Sequence, residues 1–175
     1  MTILVRVLAA AALFAAPVSG VASDDAPRHV AVDVSFAKSL QSKLDSTYGA
    51  AEADVLRAAV DRNVTTALER RAGARVRSVD LSIAVVIAAA EPSHPTRRQL
   101  VDNPSIDALR SKSLGGAELT GTVRAADGRT LATVSHRHFA SSLETASPAG
   151  DPWADADVAI QQFATLIARR TTLVR

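Results

Sequence analysis

Hydrophobic positions along this chain recur with two periods, two and about three and a half. In "HVAVDVSF", Val30, Val32, Val34 and Phe36 fall on one side and Ala31, Asp33 and Ser35 on the other. That alternation of β-branched residues predicts a half-buried strand. "SLQSKLDSTYGAAEA" reads as a linking segment with a turn at Tyr48-Gly49. The pattern then becomes helical in "AEADVLRAAVDRNVTTALERRAG". Leu56, Val60, Val64, Ala67 and Leu68 form a stripe that Ala59 widens. Glu52 and Asp54 begin this helix, Arg70 and Arg71 end it, and Gly73 supplies the stop.

Period two returns in "ARVRSVDLSIAVVIAAA", where Val79, Leu81, Ile83, Val85 and Ile87 share a face. The run is long for a strand, which predicts a central one. After a long connection, Ala117, Leu119, Gly121 and Val123 alternate with Glu118, Thr120, Thr122 and Arg124. Asp127-Gly128 marks the turn of a hairpin. On the returning strand, Ala132 and Val134 compete with Leu131 and Thr133 for the buried face. The last element is a helix with Asp151 as N-cap and Pro152 at its first position. Trp153, Ala156, Ile160, Phe163 and Ile167 form its stripe, with Asp155 and Asp157 early and Arg169 and Arg170 late. The order is β-α-β-β-β-α: one α+β domain, residues 24–175, whose mixed sheet carries two helices on one face.

The first 23 residues stand apart. Arg6 precedes an apolar run from Val7 to Ala16, broken by Pro17 and followed by small residues at Gly20, Ala22 and Ser23. This is the pattern of a secretory signal peptide, cleaved after Ala22 or Ser23. The run is shorter than the roughly 20 residues that span a bilayer. The expected product is a periplasmic protein with no stable membrane anchor. The chain has no cysteine, which excludes disulfides, a Cys-zinc site and a lipid-modified N-terminal cysteine. Lysine and arginine number 20 against 18 acids, and aromatic residues make up 3%. Nucleic-acid binding needs clustered positive charge and stacking platforms, so none is expected.

The connection "EPSHPTRRQLVDNPSIDALRSKSLGGAE" is the feature that the fold alone does not explain. Long structureless loops in compact domains are uncommon, and are functional or disordered when they occur. Pro92, Pro95 and Pro104 stiffen this one. Arg97, Arg98, Arg110 and Lys112 give it positive charge, and they are the candidate binding residues for an envelope protein or an anionic ligand. "PSIDALRS" has the composition of a single helical turn. Gly115-Gly116 precedes a strand rather than a helix, so it reads as a tight entry to the sheet, not an anion cradle. A rigid solvated loop covering a sheet edge is the competing reading.

Candidate chemistry elsewhere is thin. His136 and His138 lie two apart on a strand, so both point to one face, and Glu118 on the neighbouring strand is the obvious third metal ligand. The alternative is two polar residues marking a solvent face. There is no G-x-S-x-G elbow, and no catalytic residue, metal ligand or cofactor is assigned.

The segment "HPTRRQLVDNPSIDALRSKSLGGAELTGTVRAADG" and the helix "WADADVAIQQFATLIAR" together resemble a group of small exported proteobacterial proteins of unknown function. The shared pattern is Pro95-Thr96, Gln99-Leu100, Asn103-Pro104, Gly115-Gly116-Ala117, the Asp127-Gly128 turn and Trp153-x-Asp155-Ala156. More loosely, the element order is similar to the N-terminal domain of TolB and to curli-assembly lipoproteins. The looser likeness implies a scaffold that binds partners without a catalytic site, whereas the exported group has no established activity to carry over. With no convergent catalytic set beside a long ordered loop, the leading reading is a non-enzymatic periplasmic binding or envelope-accessory domain that recognises its partner through residues 91–116. The alternatives are a metal-dependent or hydrolytic enzyme, resting on His136, His138 and nearby acids, and a small-ligand carrier with an apolar cavity between helices and sheet.

Overall fold

A computed structural model describes residues 30–72, 80–108, 110–147 and 150–171. The expected signal peptide, the Gly73 stop and Val79 lie outside them. The elements are β1 (Val30–Phe36), α1 (Lys38–Lys43) running on into a π-helical turn (Leu44–Tyr48), and α2 (Ala51–Ala72). Next come β2 (Leu81–Glu91), α3 (Arg97–Asp102), β3 (Gly116–Ala125), β4 (Thr130–Phe139) and α4 (Ala154–Thr171). The sheet has the order β1-β2-β3-β4. β1 and β2 are parallel, joined by the α1–α2 crossover, and the other two pairs are antiparallel. The α+β class, the mixed sheet and the two long helices on one face are as the sequence periods predict.

The register explains the alternation. Val34 pairs with Val85, Val85 with Gly121, and Gly121 with Val134, so one inward row crosses all four strands. α4 packs over β3 and β4, and α2 packs beside it over β1. Leu56, Val60, Val64 and Leu68 of α2 are buried with Trp153, Ile160, Phe163 and Ile167 of the α4 stripe. The other sheet face carries Asp33, Ser35, Ser82 and Thr133, all exposed, and Thr120 and Ser135 hydrogen-bond across it at 3.0 Å. On β4, Val134 is buried and Thr133 exposed, so the Ala132–Val134 face is the inward one. The hairpin turns through Asp127-Gly128 with Gly128 at φ 83°, and Asp127 Oδ1 accepts the Arg129 N–H at 2.9 Å.

Three expectations are corrected. The segment 38–48 is helical, not a linker. Leu40, Leu44 and Tyr48 recur every four residues and are all buried, a stripe outnumbered by the polar residues around it. The long connection holds a short helix at 97–102 beyond those expected, set by the reciprocal capping box of Thr96 and Gln99, while "PSIDALRS" makes only the single turn closed by Ser111 N–H on the Asp107 carbonyl at 2.9 Å. Helix α4 begins at Ala154 rather than Pro152. Asp151 Oδ1 does accept the Trp153 N–H at 2.9 Å, but the Pro152 carbonyl accepts from Ser93 N–H at 2.7 Å instead of serving the helix ladder.

Candidate functional site

Glu91 and Gly116 are register partners, so the long connection leaves and re-enters the sheet at one point. Five hydrogen bonds hold it there. Ser93, fully buried, donates its N–H to Pro152 at the head of α4, and its carbonyl accepts from Ser113 N–H at 3.0 Å. Ser113 Oγ donates to the Pro92 carbonyl at 2.5 Å. Thr96, also fully buried, donates its hydroxyl to the Tyr48 carbonyl at 2.7 Å. His94, 3% exposed, places Nε2 3.1 Å from the Ser147 carbonyl. A carbonyl only accepts, so Nε2 carries the proton.

The two glycines are required by close approach. A Cβ on Gly115 would lie 2.7 Å from Ser93 Cβ and 2.9 Å from Asp155 Oδ2. Gly116 has φ 152°, and a Cβ there would collide with the His138 carbonyl. Both serve entry to the sheet, as expected. Asp155 is 5% exposed rather than a surface charge at the start of α4. Its Oδ1 accepts from Ser147 N–H at 2.9 Å and from Ser147 Oγ at 2.5 Å. Asp155 Oδ2 and His94 Nδ1 are buried without a hydrogen-bond partner among the described residues. Sequence reasoning passed over Ser93, His94 and Thr96. The only signal was a histidine enclosed by Pro92 and Pro95.

A second polar group supports the same end of the sheet. The Tyr48 hydroxyl donates to Glu91 Oε2, and Lys43 pairs with Glu91 Oε1. Burial, then the hydrogen bond to Glu91 and its charge, push the Tyr48 phenol well above its ordinary range. The Tyr48 ring meets Trp153 edge-on at 5.6 Å, and Trp153 Nε1 donates to Glu52 Oε2 at 2.7 Å.

The four candidate binding residues do not converge on one point. Arg98 pairs with Asp102 within α3, Nε to Oδ2 at 2.6 Å. Arg110 pairs with Asp107 at 3.8 Å. Arg97 and Lys112 are exposed and make no ion pair with any described residue. Lys112 lines a cleft of about 210 Å³ inside the segment, together with His94 and apolar Pro92, Pro95 and Ile106.

The other candidate chemistry does not assemble. His136 and His138 pair with Leu119 and Ala117, whose side chains are buried against the helices, so they share the inner face rather than the solvent face. His136 Nε2 meets Gln162 Oε1 at 2.9 Å. Glu118 points to the opposite face, where it pairs with Arg137 at 3.4 Å, and cannot be their third ligand. Among the described residues, no group of three or more metal-binding side chains comes together. His94, Ser147 and Asp155 do not form a nucleophile and base either. The Ser147 hydroxyl bonds the carboxylate, while the histidine meets the serine's carbonyl.

No protein-family model matches the chain, and no curated protein does. Among solved structures, it is similar to the crystal structure of protein XCC0632 from Xanthomonas campestris, described as family-model DUF330. The identity is 19% and the TM-score 0.31, over 54% of this chain and 46% of that one. The chain thus spans about half the length of that structure, and nothing is transferred from it. The looser likeness to TolB and curli-assembly domains is not shown by these comparisons. No helix among the described residues is long and apolar enough to cross a membrane.

Proposed function

We propose that this chain is an exported, non-enzymatic binding domain of the cell envelope that recognises an anionic partner through residues 91–116. One observation carries the reading. The segment is pinned by the buried Ser93, His94 and Thr96, yet it leaves Arg97 and Lys112 exposed without a carboxylate partner among the described residues. Ordering such a segment costs roughly 1–2 kcal/mol of backbone entropy per residue. A surface ordered before it binds does not meet that cost during association. Exposed cations on a fixed backbone are suited to carboxylate or phosphate groups.

The carrier alternative fits the packing less well. Phe163 occupies the surface over Gly121, where even a Cβ would sit 2.7 Å from its ring. The small residues there serve close helix–sheet contact.

Export rests on the composition of residues 1–23. Intact mass of protein recovered from the periplasm tests it; an uncleaved chain retained in the cytoplasm contradicts it. Capture of an envelope partner by wild type and by Arg97→Glu/Arg98→Glu tests the binding role. Equal capture by both removes it.

A further inference from the structure

The cleft within residues 91–116 has a chemical character of its own. Its volume of about 210 Å³ lies below the ~300–1,000 Å³ of pockets for drug-sized ligands, so it takes a small group and not a nucleotide. Pro92, Pro95 and Ile106 give it apolar walls. Its charged lining is cationic: among the described residues Lys112 is there, and no carboxylate is. Arg98 and Arg110 are engaged by Asp102 and Asp107, and the unpaired Arg97 does not line the cleft, so Lys112 is the cation that faces a ligand. Gln99 also lines the cleft. Its Oε1 accepts from Thr96 N–H at 3.0 Å, so its amide NH2 is the end left to donate. The lining histidine, His94, is more than nine-tenths buried; with its proton on Nε2, its unpartnered Nδ1 is an acceptor and takes no part in holding an anion.

We propose that this cleft binds a small carboxylate borne on a short apolar group. The Lys112 ammonium and the Gln99 amide receive the carboxylate, and Pro92, Pro95 and Ile106 cover the apolar part. This rests on residues 91–116 being the recognition element, and it names the chemistry that element takes. A free carboxylic acid and the last residue of a peptide present the same group.

The test is an NMR titration of the labelled protein with N-acetylalanine, with its neutral methylamide, and with a tetrapeptide ending in alanine. N-acetylalanine is expected to shift the Lys112 amide and the His94 ring saturably, and the methylamide is not. Lys112→Gln should weaken binding by about tenfold or more, and Lys112→Arg should retain most of it. Tighter binding of the tetrapeptide than of N-acetylalanine assigns the cleft to chain termini; equal binding assigns it to small acids. Equal shifts with the methylamide, shifts that never saturate, or an unaffected Lys112→Gln variant would overturn the proposal. Failure here while Arg97→Glu/Arg98→Glu still abolishes partner capture removes the carboxylate cleft alone. Binding here with capture unaffected by that reversal removes the wider recognition reading instead.

Discussion

The ring of Phe163 lies directly over Gly121, so close that a Cβ on the glycine would sit 2.7 Å from the ring's Cζ. This contact seats α4 on the middle of the sheet, in the row that runs from Val34 through Val85 to Val134. Phe163→Ala is expected to cost about 3–5 kcal/mol, the usual penalty for emptying a buried aromatic site. Gly121→Ala is expected to cost about 1–3 kcal/mol by overpacking the same place. Chemical denaturation measures both. A loss below about 0.5 kcal/mol for Phe163→Ala would mean that the stripe is not core.

A pH effect follows from Tyr48. Its phenol is held protonated in the folded protein, while in the unfolded chain it titrates near the ordinary value of about 10. Above that pH the unfolded state binds fewer protons than the folded one, so stability falls as pH rises. The stabilising contribution is complete below pH ~10 and is lost as pH rises toward the raised folded value. Denaturant midpoints from pH 9 to 11.5 should therefore fall more steeply for wild type than for Tyr48→Phe. Parallel curves would show that neither burial nor Glu91 raises the phenol in the folded protein.

Much of the fold was legible because burial here follows period. β1, β3 and β2 as far as Ile87 alternate, and the α4 stripe falls at helical spacing. The helix at 38–48 was obscured because Leu40, Leu44 and Tyr48 are scattered among serines, lysines and an aspartate. The site was legible only as a place. Arg97, Arg98, Arg110 and Lys112 could be named from charge, but not which of them Asp102 and Asp107 would engage. Burial of Ser93, His94, Thr96 and Asp155 depends on contacts with Pro152, Ser147 and Tyr48, remote in the chain or set by the fold, and no local pattern encodes it.

The anchoring of residues 91–116 predicts a contrast in hydrogen exchange. The Ser93 and Ser113 amides are bonded to the Pro152 and Ser93 carbonyls and should exchange slowly. The Ser105 amide, held only by the exposed Asn103 side chain, should exchange quickly. Uniformly fast exchange across all three would make the segment a loose tether.

The histidines of β4 are expected to act independently of metal. With Glu118 turned to the far face, two ligands remain where a structural zinc takes four. Melting temperatures of wild type and of His136→Ala/His138→Ala should be unmoved by chelator or added zinc. Stoichiometric zinc in the wild type that is lost in the double variant would contradict this.

Partner capture across a salt gradient bears most directly on the recognition role of residues 91–116. Immobilised mature protein, wild type and Arg97→Glu/Arg98→Glu, is exposed to the same envelope extract at ionic strengths between 0.02 and 0.5 M, about 20 to 4 Å in screening length. The variant should stay folded, since both side chains are exposed and the lost Arg98–Asp102 pair contributes at most about 1 kcal/mol. Wild type should retain a partner that the reversed variant does not, with the gap widest at low salt. A folded variant that captures the same partner equally at every salt concentration would contradict the account.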